Sequence, residues 1–167
     1  MTNNVVRTTY FQKSKPLSAF SLKDIYIDKD KIYISYTEEI KENCWNTSII
    51  HGNINYENII FKKLFSSKDC IITKGSNQNG GRIVNFDENH ILLSVGDYRS
   101  RALPQDKKSI NGKILKINVS NSNYEIVSMG HRNPQGLYFD KKNNLILVTE
   151  HGPYGGDEIN LIETSKI

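Results

Sequence analysis

The sequence predicts an all-β chain organised as part of a β-propeller. Strand-like runs of about four to seven residues, bounded by Asn, Asp and Gly, fill the chain, and such runs are hairpin signals. No segment with a 3.6-residue period extends beyond two turns to compete with them. The hairpins also repeat. IYIDKDKIYISYT, IVNFDENHILLSVGD and GLYFDKKNNLILVTEHG share one order: apolar strand, Asp, polar turn, apolar strand, then a polar or Gly-containing loop. The marker aspartates are Asp28, Asp87 and Asp140. In the earlier units a second, more polar hairpin follows, giving four strands per repeat. That count, at roughly 40–50 residues or slightly more, is the signature of a propeller blade. A β-sandwich with similar turns is the competing fold, and the recurring Asp-turn hairpin favours the propeller.

The strands follow in order. Residues 22–27 and 31–37 alternate around Asp28-Lys29-Asp30. Residues 48–54 and 58–65 are separated by Asn55-Tyr56-Glu57. Residues 82–86 and 90–95 flank Asp87-Glu88-Asn89, and 113–119 and 124–129 straddle the turn at 120–123. Residues 137–139 and 145–149 flank the turn at 140–144. At about 55 residues per blade the 167 residues hold roughly three four-stranded blades, whereas closed propellers carry at least about four. The expectation is one incomplete propeller domain over 1–167. It is then the front or middle piece of a longer protein, or a chain that assembles with something that completes the ring. Left alone, its exposed blade edges predict poor solubility.

Composition narrows the function. Lys plus Arg is 22 and Asp plus Glu is 18, so the net charge is +4. The excess is scattered, and no basic run interleaves with aromatics as a nucleic-acid surface requires. No window of about 18 apolar residues exists to span a membrane as a helix. The N-terminus, MTNNVVRTTYFQKSKPLSAF, lacks the apolar core of a secretory signal as written, and localisation stays open. Cys44 and Cys70 form no CxxC pair, which excludes a zinc knuckle. Two reduced, buried thiols are the simpler expectation, and one disulfide in an oxidising compartment is the alternative.

Two loops about 20 residues apart carry the chemistry. In Gly130-His131-Arg132-Asn133-Pro134, Arg132 offers a planar fork of donors suited to carboxylates or quinone oxygens. Pro134 biases Asn133 towards an extended backbone, which fixes the direction of its side chain. Pairing of Arg132 with Glu150 or Asp157, to lock adjacent blades, is the equally weighted structural alternative. In His151-Gly152-Pro153 and Gly155-Gly156-Asp157-Glu158, glycines let backbone carbonyls approach a ligand, and Ca²⁺ takes such carbonyls. His131 and His151 have no third ligand at a metal spacing and read as structural. Asn77-Gln78-Asn79-Gly80-Gly81-Arg82 is the equivalent loop one blade earlier, with Asn77 and Gln78 facing the same centre. Gly96-Asp97-Tyr98-Arg99 closes the hairpin of that blade at the same end and reads as a plain Asp turn rather than a ligand loop.

Four segments resemble one family: the soluble pyrroloquinoline-quinone-dependent sugar dehydrogenases, or glucose/sorbosone dehydrogenases. They are GGRIVNFDENHILLSVGD (80–97), QDKKSINGKILKIN (105–118), GHRNPQGLYFD (130–140) and TEHGPYGGDEINLI (149–162). The resemblance covers about residues 75–164, with 20–70 fitting loosely as the preceding blade. It implies a six-bladed propeller, of which this chain is a part, that oxidises an aldose at C1 with hydride transfer to the quinone (PQQ). Arg132 and Asn133 would contact the quinone, with Arg132 also serving catalysis. The main-chain carbonyls of Gly152 and Pro153 would bind Ca²⁺. A sugar and an electron acceptor would be the partners. Such proteins are typically periplasmic or secreted.

One position departs from the pattern. The family's general base is a His just before the Gly-Arg strand entry, and Gln78 stands there. A glutamine amide does not accept a proton near neutral pH, and loss of a general base costs about 10²–10⁴ in rate. Two functions therefore stand side by side: quinone-dependent sugar oxidation, in full or degenerate form, and a non-catalytic propeller that binds a ligand or partner protein.

Overall fold

Alternating apolar and polar residues become strands here wherever a turn residue lets the chain reverse. A computed structural model describes residues 20–55, 57–68, 70–73 and 77–164. The N-terminal reading at 1–19 and the turn residue Tyr56 lie outside the described residues. Among the described residues, twelve strands form three antiparallel sheets, each following sequence order. The first sheet holds β1 (Phe20–Asp28), β2 (Lys31–Lys41), β3 (Cys44–Asn53) and β4 (Lys62–Ser66), with short β5 (Ile71–Ile72) also on β3. The second holds β6 (Gly80–Asn85), β7 (His90–Val95), β8 (Lys113–Asn118) and β9 (Tyr124–Met129). The third holds β10 (Pro134–Asp140), β11 (Leu145–Glu150) and β12 (Glu158–Glu163). The repeated hairpins are β1/β2, β6/β7 and β10/β11, so each leads a sheet of the expected partial propeller.

Two of the three marker aspartates, Asp87 and Asp140, act through their side chains. Asp87 Oδ1 accepts from the Asn89 N–H at 2.8 Å, and Asp140 Oδ1 accepts from Lys142 at 3.0 Å and Asn143 at 3.2 Å. These are Asx turns, in which the carboxylate stands in for a backbone acceptor.

The middle sheet is covered on both faces. Ile83, Ile91, Leu93 and Val95 meet Tyr33, Trp45 and Ile49 of the first sheet. Leu92 and Ile114 meet Ile146 and Val148 of the third. This is the period of two at work: neighbours along β7 point to opposite sheets. Full burial of one such side chain stabilises by about 1.5–3 kcal/mol. Arg82 ties all three sheets, donating to Asp24 Oδ1 on β1 at 3.2 Å and to the Gln135 carbonyl on β10.

Three expectations change. The third sheet has three strands among the described residues rather than four, and residues 158–163, for which the sequence predicts no strand, form the last of them, β12. The strand expected at 58–65 begins only at Lys62. Cys44 and Cys70 are a disulfide, not two reduced thiols, with Cα atoms 5.3 Å apart. Cys44 opens β3 opposite Ile72 of β5, which brings the residue just before β5 beside it.

Candidate functional site

The loops that leave the sheets at one end are stitched together by backbone hydrogen bonds. Asp97 N–H donates to the Arg132 carbonyl at 2.8 Å, Tyr98 to Gln78 at 3.0 Å, His131 to Gly112 at 3.1 Å and His151 to Asn133 at 3.3 Å. Gly96 permits this approach, because a Cβ there would strike the Gln78 carbonyl. Lys113 is fully buried below the loops and donates to the carbonyls of Leu103, Pro104 and Asn111, each at 2.9 Å. Burial lowers its pKa, and the three carbonyls take its protons as partners.

A cavity of about 640 Å³ opens where these loops meet, and Gln78, Asp97, Arg99, Arg101, Arg132 and Tyr154 line it. Its charge is lopsided: three guanidinium groups against one carboxylate. Arg132 Nη1 donates to the carbonyls of His151 at 2.8 Å and Gly152 at 2.9 Å. The Gln78 amide, oriented by its neighbours, accepts from Arg132 Nη2 at 2.9 Å and donates to Asp97 Oδ1 at 3.0 Å. Asp97 is buried, and Oδ1 also accepts from the Arg99 N–H at 2.8 Å. Burial raises its pKa, while that hydrogen bond and the charges of Arg132 and Arg101 pull against the rise.

Beneath the cavity, Glu150 holds the loop that carries Arg132. Its Oε2 accepts from the backbone N–H groups of Arg132 at 2.7 Å and Asn133 at 3.3 Å. Its Oε1 meets His131 Nδ1 at 2.8 Å and accepts from Asn160 Nδ2 at 2.7 Å. His131 Nε2 lies 2.9 Å from Ser128 Oγ, so both imidazole nitrogens have partners. Burial alone would raise the Glu150 pKa, but hydrogen bonds from His131, Arg132 and Asn133 outweigh it and the pKa is lowered. The carboxylate is therefore charged and saturated.

The residues named from sequence separate. Gln78, Arg132 and Pro153 line the cavity. Asn133 turns away from it: its Oδ1 accepts from Gln135 Nε2 at 2.8 Å and from the Gly80 N–H at 3.4 Å. The Gly152 carbonyl is covered by Arg132, and the Pro153 carbonyl accepts from the Gly156 N–H at 3.0 Å. His151 and Asp157 pair in the open at 3.1 Å. Neither acid of the blade-locking alternative takes the Arg132 guanidinium: Glu150 accepts from its backbone N–H and Asp157 pairs with His151. No group of three or more His, Cys, Asp or Glu among the described residues is arranged to hold a metal ion.

Sequence reasoning reads Asp97 and Arg99 as part of a plain turn and does not single out Arg101. The available signal was their crowding into one loop directly after β7. Backbone conformation was the hidden part: Gln78 (φ 54°), Tyr98 (52°), Arg99 (63°) and Tyr154 (53°) all adopt left-handed geometry. Non-glycine residues rarely do so, and such strain clusters at ligand sites.

Comparison with known proteins gives a consistent picture. A family model described as Glucose / Sorbosone dehydrogenase matches residues 10–166. Aldose sugar dehydrogenase YliI of Escherichia coli is 28% identical over 152 residues, which is 81% of this chain and 40% of that protein. The solved apo-form of the soluble aldose sugar dehydrogenase from Escherichia coli superposes with a TM-score of 0.70 at 26% identity. The match covers 80% of this chain and 43% of the other. The PQQ-bound aldose sugar dehydrogenase of Streptomyces coelicolor shares the fold, with a TM-score of 0.63 at 24% identity, over 86% of this chain and 44% of that one. The chain thus spans about two fifths of the length of the curated relative it matches.

Proposed function

Because this chain belongs to the glucose/sorbosone dehydrogenase family, we propose that its cavity holds the quinone of a sugar-oxidising site. The observation that carries the proposal is the cavity itself, with Arg99, Arg101 and Arg132 facing one carboxylate, Asp97. Such a surplus of planar cations suits a ligand bearing several carboxylates, as PQQ does. When bound, the quinone supplies the acceptor for hydride from the C1 of an aldose, while the protein supplies position and electrostatics.

The residues then divide the work. Glu150 fixes the backbone of Arg132, so the guanidinium is aimed before any ligand arrives. Arg132 releases the His151 and Gly152 carbonyls to bind an anion, exchanging neutral acceptors for charged ones, and charge-assisted bonds are about twice as strong. Asn133 acts as a brace between Gly80 and Gln135 rather than as a direct contact.

Ca²⁺ does not fit the donor set as it stands. Both proposed ligands, the Gly152 and Pro153 carbonyls, already accept hydrogen bonds, and the Arg132 cation sits 2.9 Å from the former. A dication there meets a guanidinium at close range, so no step is assigned to it. The Gly152 carbonyl becomes available only as Arg132 turns to an anionic ligand, while the Pro153 carbonyl keeps its bond from the Gly156 N–H.

Gln78 sets the limit on turnover. Oxidation of the C1 hydroxyl requires a proton acceptor, and the Gln78 amide is already engaged on both sides. That saturation favours the second reading, a propeller that binds the ligand without turning over sugar. Dye reduction with aldoses decides between them, using the chain loaded with quinone and Ca²⁺. Gln78→His is expected to raise the rate well above that of the unaltered chain. Background rates in both forms, with quinone bound, would overturn the dehydrogenase reading and leave the binding one.

A further inference from the structure

Among the described residues, the first sheet lends no side chain to the cavity wall. It reaches the site by another route. Tyr98 stands between Asp97 and Arg99, both on the wall, yet its own ring is only 1% exposed. That ring belongs to the core shared by Trp45 and Ile49 of the first sheet and Ile83 and Leu93 of the second. Its hydroxyl is hydrogen-bonded to Thr47 Oγ1 on β3. Thr47 is itself tied down: its carbonyl accepts from the Ser67 N–H at 2.9 Å, and its N–H donates to Ser67 Oγ at 3.3 Å. Burial raises the pKa of the phenol, so the hydroxyl keeps its proton at neutral pH and the bond persists.

The backbone at this point needs such an anchor. Tyr98 (φ 52°) and Arg99 (63°) are consecutive left-handed residues, and neither is glycine. A bulky side chain keeps a positive φ only where its surroundings over-determine it. Backbone N–H groups supply part of the restraint. Tyr98 donates to the Gln78 carbonyl at 3.0 Å, Arg99 to Asp97 Oδ1 at 2.8 Å and Ser100 to the Asp97 carbonyl at 2.9 Å. Those bonds tie the loop to itself and to Gln78, whereas the Tyr98 phenol ties it across to another sheet. We infer that Tyr98 is a positioning residue for the anion site: its bond to Thr47 holds the left-handed turn that sends Arg99 into the cavity. The inference rests on the reading of the cavity as the seat of a carboxylate-bearing ligand. Ring and hydroxyl split the task, the ring filling the junction between two sheets and the hydroxyl fixing its orientation there. Without the hydroxyl the ring stays buried, but the turn is free to relax and Arg99 leaves the wall. Affinity for a dicarboxylate then falls while the sheets stay packed.

Isothermal titration of the full chain with oxalate and with pyrroloquinoline quinone tests this in Tyr98→Phe, Thr47→Val and Arg99→Ala. Tyr98→Phe and Thr47→Val are each expected to weaken binding at least about threefold, and the double variant no more than either single one. Thr47→Ser keeps the hydroxyl and is expected to bind as the unaltered chain does. In an Arg99→Ala background Tyr98→Phe is expected to change nothing further, a coupling that general loosening of the fold does not produce. Hydrogen exchange without ligand reads the loop itself: the Arg99 and Ser100 amides are expected to exchange faster in Tyr98→Phe, those of β7 and β8 at their former rates. Circular dichroism checks that each variant is folded, and Thr47→Val answers the question if Tyr98→Phe is not. Unchanged affinity in a folded Tyr98→Phe overturns the inference. So does an equal loss with and without Arg99, or loop exchange that stays the same. A chain that binds oxalate but not the quinone ends the quinone reading and leaves this inference standing; one that binds neither overturns both.

Discussion

Replacing Glu150 with Ala removes the acceptor on which the Arg132 loop hangs. Four donors converge on that carboxylate, three of them at 2.7–2.8 Å: the Arg132 N–H, His131 Nδ1 and Asn160 Nδ2. All would be left without their charged partner in a buried site. Leaving a buried donor without its acceptor costs about 1–3 kcal/mol, so losing several at once should cost about 3–5 kcal/mol. A domain of this size is stable by only about 5–15 kcal/mol. With an m-value of about 2 kcal/mol/M in urea, the midpoint should fall by roughly 2 M. Glu150→Gln keeps the shape and one acceptor oxygen, so its cost should be smaller, about 1–3 kcal/mol. Urea unfolding followed by circular dichroism measures both. Losses under about 1 kcal/mol for Glu150→Ala would refute the claim that this carboxylate organises the loop. The same group sets an acid limb. Its folded pKa lies below the ordinary value of 4.5, so its contribution is complete above that value and is lost as pH falls through the folded pKa. Glu150→Gln should flatten the stability profile in that acid range and leave its slope near neutrality unchanged.

Reduction of the Cys44–Cys70 bond, which closes a separation of 26 residues, should cost about 3.5 kcal/mol by the chain-entropy relation. Thermal unfolding with and without a reductant reads this, and identical melting curves would contradict the pairing. Gly96→Ala should destabilise by about 2 kcal/mol or more, because its Cβ meets the Gln78 carbonyl; a neutral result in urea unfolding would mean the two loops part readily. Asp97→Asn removes the one carboxylate of the cavity and should tighten anion binding severalfold, opposite in sign to Arg132→Ala; isothermal titration with oxalate distinguishes the two. Ca²⁺ should bind weakly alone and more tightly once the quinone is present, and equal affinity in both titrations would contradict the Arg132 block on the Gly152 carbonyl.

The strands were legible because each rule that builds them is local. Asp87 and Asp140 announce their turns in the residues that follow, and the unbroken apolar run Ile91-Leu92-Leu93 fits a strand buried on both faces. The site was legible where a residue type declares its chemistry, as Arg132 does. It was not legible where tertiary placement decides. Asp97 reads as a turn residue until burial and two partners make it the carboxylate of the cavity. Asn133 reads as a ligand donor until its oxygen is found between Gly80 and Gln135. Left-handed backbone at Gln78 and Arg99 has no sequence signal, because glycine or asparagine usually marks it. The disulfide depended on β5, a two-residue strand too short for any periodicity to reveal.

The account turns on whether the arginine-lined cavity binds a quinone through Arg132. Titration of the full chain with pyrroloquinoline quinone, followed by absorbance and calorimetry, tests that most directly. Saturable binding is predicted, weakened at least tenfold by Arg132→Ala. Binding that never saturates, or that is the same in Arg132→Ala, would contradict it.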